Sequence, residues 1–163
     1  MRHHVPGLLD LGSRAVDIAE KPLWQAIPGA RKLHAEMGKR DFTVQLQFLG
    51  LKGPDMNFVP PLLDTLLAEA RGRALLDSMR VALAIRRYHA DNDTVPGDLE
   101  ELTPEYAEEL PEDPFTGEDY RVEAGDGAVT VYSVGKNGKD DGGDIARQGG
   151  PRGAADIGVK IAL

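Results

Sequence analysis

Between Pro61 and Tyr88, the residues Leu63, Leu67, Ala70, Ala74, Ser78, Val81, Ile85 and Tyr88 recur at steps of three and four. That spacing keeps one stripe of side chains on one side of an α-helix, so it predicts a single helix with one face held against a core. At about 1.5 Å per residue, roughly 30 residues make a rod of about 45 Å, longer than a compact domain of this size requires. Only part of such a rod can be covered. Leu75, Met79, Ala82 and Leu83 widen the apolar arc of the C-terminal half, which is therefore the half expected to be buried. A proline in the first turn costs little, because that amide has no partner inside the helix.

Beyond the helix the periodicity changes. "HADNDTVP" (89–96) ends it, and "GDLEEL" (97–102) and "TPEYAEEL" (103–110) read as short helical turns, with Thr103 as the N-cap of the second and Pro111 as its stop. Strand patterns follow at 119–124, 128–134 and 157–163. Gly125, Asp126 and Gly127 between the first two are a hairpin signal. The predicted fold of residues 59–163 is therefore α+β, a long helix packed on a small antiparallel sheet. Residues 1–58 are predicted to form an additional helical segment. In it "DLGSRAVDIAEKPLWQAI" (10–27) is interrupted by Pro22, and "GARKLHAEMGKRDF" (29–42) makes a second short helix. Gly50, Gly53, Pro54, Pro60 and Pro61 punctuate the approach to the long helix and mark a linker or irregular crossing.

Composition narrows the function classes. A chain of 163 residues suits one domain with an extension, and its 6% aromatic content makes the core mostly aliphatic. The absence of cysteine removes disulfides, thiolate metal sites and cysteine nucleophiles. The net charge of −8 is concentrated, since residues 97–126 hold twelve acids against the single base Arg121. Such a block repels phosphate backbones, which argues against nucleic-acid binding. Its plainer reading is a solvated face. No stretch approaches the roughly 18 apolar residues of a membrane span, and the N-terminus lacks the apolar core of a secretion signal.

The stretch "YSVGKNGKDDGGD" (132–144) sets four glycines, two lysines, one asparagine and three aspartates on the end of a predicted strand. A cation loop and a tight solvated turn both remain open. A phosphate loop fits poorly, because no Gly-Lys-Ser/Thr ending or following helix is present and three aspartates repel a phosphate. An EF-hand also fits poorly: with Asn137 first and Gly142 sixth, Lys139 falls on the third ligand position and Gln148 on the twelfth.

Four segments, taken in order, resemble the globular domain of the major pseudopilin of type II secretion systems. "VALAIRRYHADNDTVPGDLEEL" (81–102) is similar to the end of that family's long helix and its Leu-x-x-Leu turn. "LPEDPFTGEDYRV" (110–122) resembles its Leu-Pro-x-Asp-Pro-aromatic-Gly entry to the first strand. "VYSVGKNGKDDGGD" (131–144) resembles its strand and Gly-x-Asp-Gly-Lys loop, and "ADIGVKI" (155–161) its closing Asp-Ile segment. The resemblance covers about the C-terminal half of the chain. Residues 1–60 carry no counterpart of the family's prepilin leader and apolar N-terminal helix.

The resemblance implies a non-catalytic structural domain of protein transport that touches other proteins, secretion-system components or copies of itself. It also implies a calcium ion in the 132–144 loop. Carried over position by position, Val134 supplies its carbonyl, Asn137 stands where the family has aspartate, and Asp144 matches the later acid; Asp140, Asp141 and Asp156 complete the oxygen set. Under that expectation a chelator lowers the melting temperature. An upstream apolar helix, if one has been removed, places the domain in the periplasm or on the outer side of a membrane; without one the chain is soluble and does not insert. The alternative is a soluble adaptor that keeps the fold, forms no pseudopilus and uses its N-terminal 60 residues to grip another protein.

Catalytic signals are thin. His3, His4, His34 and His89 share no metal-site spacing, and Ser13, Ser78 and Ser133 lie in no nucleophile-elbow context. Glu108, Glu109, Glu112 and Asp113 would serve glycoside chemistry only if two of them faced each other across a cleft.

Overall fold

The computed structural model describes residues 8–38, 60–145 and 156–163. The expected linker before residue 60 and the pair His3 and His4 lie outside the described residues. The chain divides into two compact units, Met1–Ala68 and Glu69–Leu163. The elements are α1 (Leu8–Ala19), α2 (Leu23–Gly38), α3 (Pro60–Asn92), a 3-10 turn η1 (Leu99–Leu102), β1 (Arg121–Gly125), β2 (Ala128–Ser133), a second 3-10 turn η2 (Gly135–Asn137) and β3 (Ile157–Ala162).

In the first unit, the break between the two short helices sits at Pro22. Its carbonyl accepts the amides of Gln25 and Ala26 and so starts α2. The helix then continues through Pro28, so that the end of the 10–27 stretch and the start of the 29–42 stretch belong to one helix. Pro28 removes one amide from the ladder, but Ala26, Ile27, Ala30 and Leu33 around it are all buried, and their burial outweighs the single lost bond. A β-carbon added at Gly29 would stand 3.2 Å from the Ile18 side chain, so α1 and α2 approach closely there. Arg14 donates to Glu36 at 2.8 Å between the same two helices.

α3 is 33 residues long, close to its predicted extent. It ends where Asp93 adopts a left-handed φ of 55°, the conformation that closes helices. The Asp93 amide still reaches the carbonyl of His89, and Asn92 Nδ2 donates to the Tyr88 carbonyl. η1 is closed at its start by a reciprocal cap: Asp98 Oδ1 accepts the Glu100 amide while Glu101 Oε1 accepts the Asp98 amide. Tyr88 ties the helix end to this turn by donating its hydroxyl to Glu101 Oε2 at 2.7 Å. The expected second segment is a single hydrogen-bonded turn over residues 103–106, in which the Tyr106 and Ala107 amides both reach the Leu102 carbonyl, and not a helix. Thr103 does not cap a new helix; its hydroxyl and amide both go back to the Glu100 carbonyl and finish η1.

The sheet is a three-stranded antiparallel meander in the order β1-β2-β3. Asp126 and Gly127, both at positive φ (52° and 67°), form the two-residue link between β1 and β2. That is the chemistry a primed hairpin turn needs to match the twist of its strands. Val131 pairs with Val122 and Val159, and Val129 with Ala124 and Ile161. Directly paired residues share a face, and Val129, Val131, Val159 and Ile161 on it pack with Val81, Ala82, Ala84 and Ile85 of α3 in one core with Leu102 and Tyr120, while the β1 residues stay exposed. Each fully buried aliphatic side chain there contributes roughly 1.5–3 kcal/mol. The architecture is thus α+β, with the second half of the long helix built into the core.

The wide apolar arc on that helix is not covered as expected. Ala82 is buried, but Leu75, Met79 and Leu83 are 41%, 41% and 44% exposed, and Leu76 is 65% exposed. Three strands span only about 14 Å at their usual spacing, enough to cover one side of a helix.

Candidate functional site

The 134–145 segment and the start of β3 gather the candidate residues. Leaving β2, Val134 takes an α-helical conformation and opens η2, which Gly138 closes at φ 66°. Asn137 Oδ1 then accepts the Lys139 amide at 3.0 Å, and Asn137 Nδ2 donates to Asp141 Oδ2 at 2.8 Å. Asp140 Oδ1 accepts the Gly142 amide at 2.9 Å and the Tyr132 hydroxyl at 3.1 Å. Its other oxygen lies 3.9 Å from Arg121 Nε, an ion pair about half exposed on both sides and so of little energetic weight. The loop thereby lies over the outer face of the sheet, where Tyr132 is buried. Burial, with Asp140 and Glu123 beside it, pushes the Tyr132 phenol well above its ordinary range.

Asp156 is the deepest group of the set, 1% exposed. Its carboxylate accepts the amide of Asp141 at 3.2 Å and that of Gly143 at 2.9 Å. An isolated parallel bridge between Ile145 and Asp156 fixes the returning chain beside the loop. Burial raises the Asp156 carboxyl above its usual range, the two amides oppose that rise, and the nearby acids Asp141 and Asp140 add to it. Gly143 carries φ 65°, and a β-carbon there would stand 3.1 Å from both the Tyr132 ring and Glu123, so only glycine turns this amide inward without strain.

The six residues expected to ligate calcium are therefore near one another without forming a shared oxygen shell. Asp144 is exposed, Val134 is buried, and oxygens of Asn137, Asp140 and Asp156 each face backbone N–H groups. Among the described residues no three His, Asp or Glu side chains converge on a point that could hold a metal. A calcium ion needs six to eight oxygens, and here the Asn137, Asp140 and Asp156 oxygens named above each commit a lone pair to a peptide N–H.

The structurally busiest acid is Asp113, which the sequence offered as a catalytic candidate and as the aspartate of the 110–122 entry segment. Asp113 is 2% exposed. Its Oδ1 accepts the Phe115 amide at 2.8 Å and the Ser133 hydroxyl at 2.8 Å, and Ser133 Oγ in turn accepts the Gly135 amide at 3.0 Å. The Asp113 amide donates to the Glu118 carbonyl, and its own carbonyl accepts the amides of Thr116 and Gly117. Asp113 thus joins the turn before β1 to the end of β2 and the start of the loop. The Asp-Pro-x-x-Gly spacing of residues 113–117 is a turn signal that points to this role. Glu108, Glu109 and Glu112 are exposed and do not share its environment. Near the same region the Tyr120 hydroxyl is buried without a hydrogen-bond partner among the described residues.

Burial raises the Asp113 carboxyl above its ordinary value, against the opposing pull of the Phe115 and Val134 amides, the Ser133 hydroxyl and Arg121. A raised carboxyl pKa means that the folded state holds this proton more tightly than the unfolded chain. The stability it contributes is complete at acid pH and is lost as pH rises from the unfolded value through the folded one. Relative to Asp113→Asn, the wild type is therefore expected to gain stability as pH falls from about 6 to about 4. Urea unfolding of both proteins across that range reads the difference directly; a gap that shrinks on acidification contradicts the assignment.

The fold and site define a small α+β domain in which a helix backs an antiparallel meander and a hydrogen-bonded loop locks the last strand. Comparison with protein-family models, curated proteins and solved structures finds no match for the chain.

Proposed function

We propose that the chain is a non-catalytic structural or interaction protein whose C-terminal unit is a pseudopilin-like scaffold, acting by association with other copies or with secretion-system subunits. The observation that carries this reading is the two-sided use of α3. One face, from Val81 to Ile85, builds the core, while Leu75, Leu76, Met79 and Leu83 leave an apolar stripe in solvent on the same stretch of helix. Arg80, Arg86 and Arg87 on this stretch are also exposed. A rigid helix displaying apolar side chains among arginines is a surface for protein contact. The chemistry-bearing side chains favour the same reading, because Asp113 and Ser133 are committed to each other and to backbone amides.

Replacing Leu76 and Met79 together by glutamate should leave the melting curve close to wild type, since both side chains are already in solvent. Concentration-dependent association in sedimentation equilibrium should fall at least tenfold, about 1.4 kcal/mol of lost binding. A wild type that is monomeric at every concentration, alone and with candidate secretion subunits, overturns the proposal.

A further inference from the structure

We infer that the 134–145 segment is closed by its own backbone amides acting on Asp156 and Asp140, so that the closure of this segment and its attachment to the last strand do not depend on a divalent cation. Three consecutive amides carry this. Those of Asp141 and Gly143 point to Asp156, and that of Gly142, between them, points to Asp140. The alternation needs a tightly coiled backbone, which Gly142 and Gly143 provide at φ 73° and 65°. Two residues before the first of them, the Lys139 amide is turned onto Asn137 Oδ1.

The electrostatics follow from the direction of these dipoles. A peptide N–H presents its positive end, and several of them converging form a concavity that holds an anion. Here the anions are already covalently part of the chain. Asp156 arrives from 15 residues beyond Asp141 and fills the concavity at the point where β3 begins. A cation placed at the same carboxylates would have only the lone pairs that the amides leave over. The clasp does the work of an ion, joining the loop to the strand, with a fixed side chain in place of an exchangeable ligand. Asp140 extends it across the sheet through the Tyr132 hydroxyl, which also lies 3.3 Å from Glu123 Oε1 on β1.

The experiment is amide hydrogen exchange on the full chain, by NMR, in EDTA and in millimolar calcium, for the wild type, Asp156→Ala and Asp156→Asn. In the wild type the Asp141 and Gly143 amides should be protected to the same degree, within about twofold, in both buffers, and the melting temperature should not move. Asp156→Ala should accelerate exchange at both amides by about tenfold or more relative to the β2 amides. Asp156→Asn retains a carbonyl oxygen without the charge; it should show intermediate protection, and it keeps the test decisive if the alanine variant does not fold. Two results overturn the inference. One is calcium-dependent protection of these amides, with the roughly hundredfold shift in the unfolding constant that a saturated site gives at about 100 times Kd. The other is wild-type exchange at Asp141 and Gly143 in both variants.

Discussion

Replacing Gly158 by alanine is expected to separate β3 from β2 and to destabilise the C-terminal unit by about 3 kcal/mol or more. Gly158 pairs with Tyr132 in the middle of the sheet. A β-carbon built on it would overlap the Val131 carbonyl oxygen and stand 2.7 Å from both Cα and Cβ of Tyr132. Those atoms are backbone and the root of a buried side chain, so no rotamer change relieves the clash. The strand must move, and with it go the Asp156 contacts at its start and the packing of Val159 and Ile161 on the core. Chemical denaturation together with exchange at the β2 amides measures the loss. A variant whose stability stays within about 0.5 kcal/mol of wild type shows that β3 is not held against Tyr132 as described.

Asp113→Ala is expected to cost about 3–5 kcal/mol. The substitution leaves the buried Ser133 hydroxyl and the Phe115 amide without their acceptor, and each buried donor without a partner costs about 1–3 kcal/mol. Asparagine retains the oxygen that receives both bonds and avoids burying a charge, so Asp113→Asn should lose much less, about 1 kcal/mol at neutral pH. This ordering separates a hydrogen-bonding role from a charge role. An asparagine variant as damaged as the alanine variant would mean that the negative charge itself, and not the acceptor, holds the turn. Denaturant unfolding at neutral pH distinguishes the two.

Where local chemistry specifies an element, the sequence was sufficient. The steps of three and four along α3 survive as the buried positions Ala70, Ala74, Ser78, Val81 and Ile85, because helical periodicity is a property of the backbone alone. The Asp126-Gly127 turn and the places of the three strands were legible from local turn and strand chemistry. The errors occurred where a second element had to supply the environment. Leu75, Met79 and Leu83 read as core residues, yet the three-stranded sheet does not reach them. Thr103 read as an N-cap, but its hydroxyl donates back to the Glu100 carbonyl. Residues 10–27 and 29–42 read as separate stretches, and the packing around Pro28 carried α2 across their boundary.

The loop shows the same division most sharply. Its glycines, its acids and the later Asp156 were all visible in order along the chain, and they established that oxygens and tightly turned backbone would meet there. Whether those oxygens face an ion or face amides is a matter of direction in space, and composition has no direction. It was decided when pairing of β3 with β2 delivered a buried carboxylate to the open side of the coil. The sequence by itself determined which groups could take part, through φ preference, periodicity and charge. The tertiary structure alone decided which donor each acceptor received, because a hydrogen bond between residues 15 apart depends on where the strands place their ends.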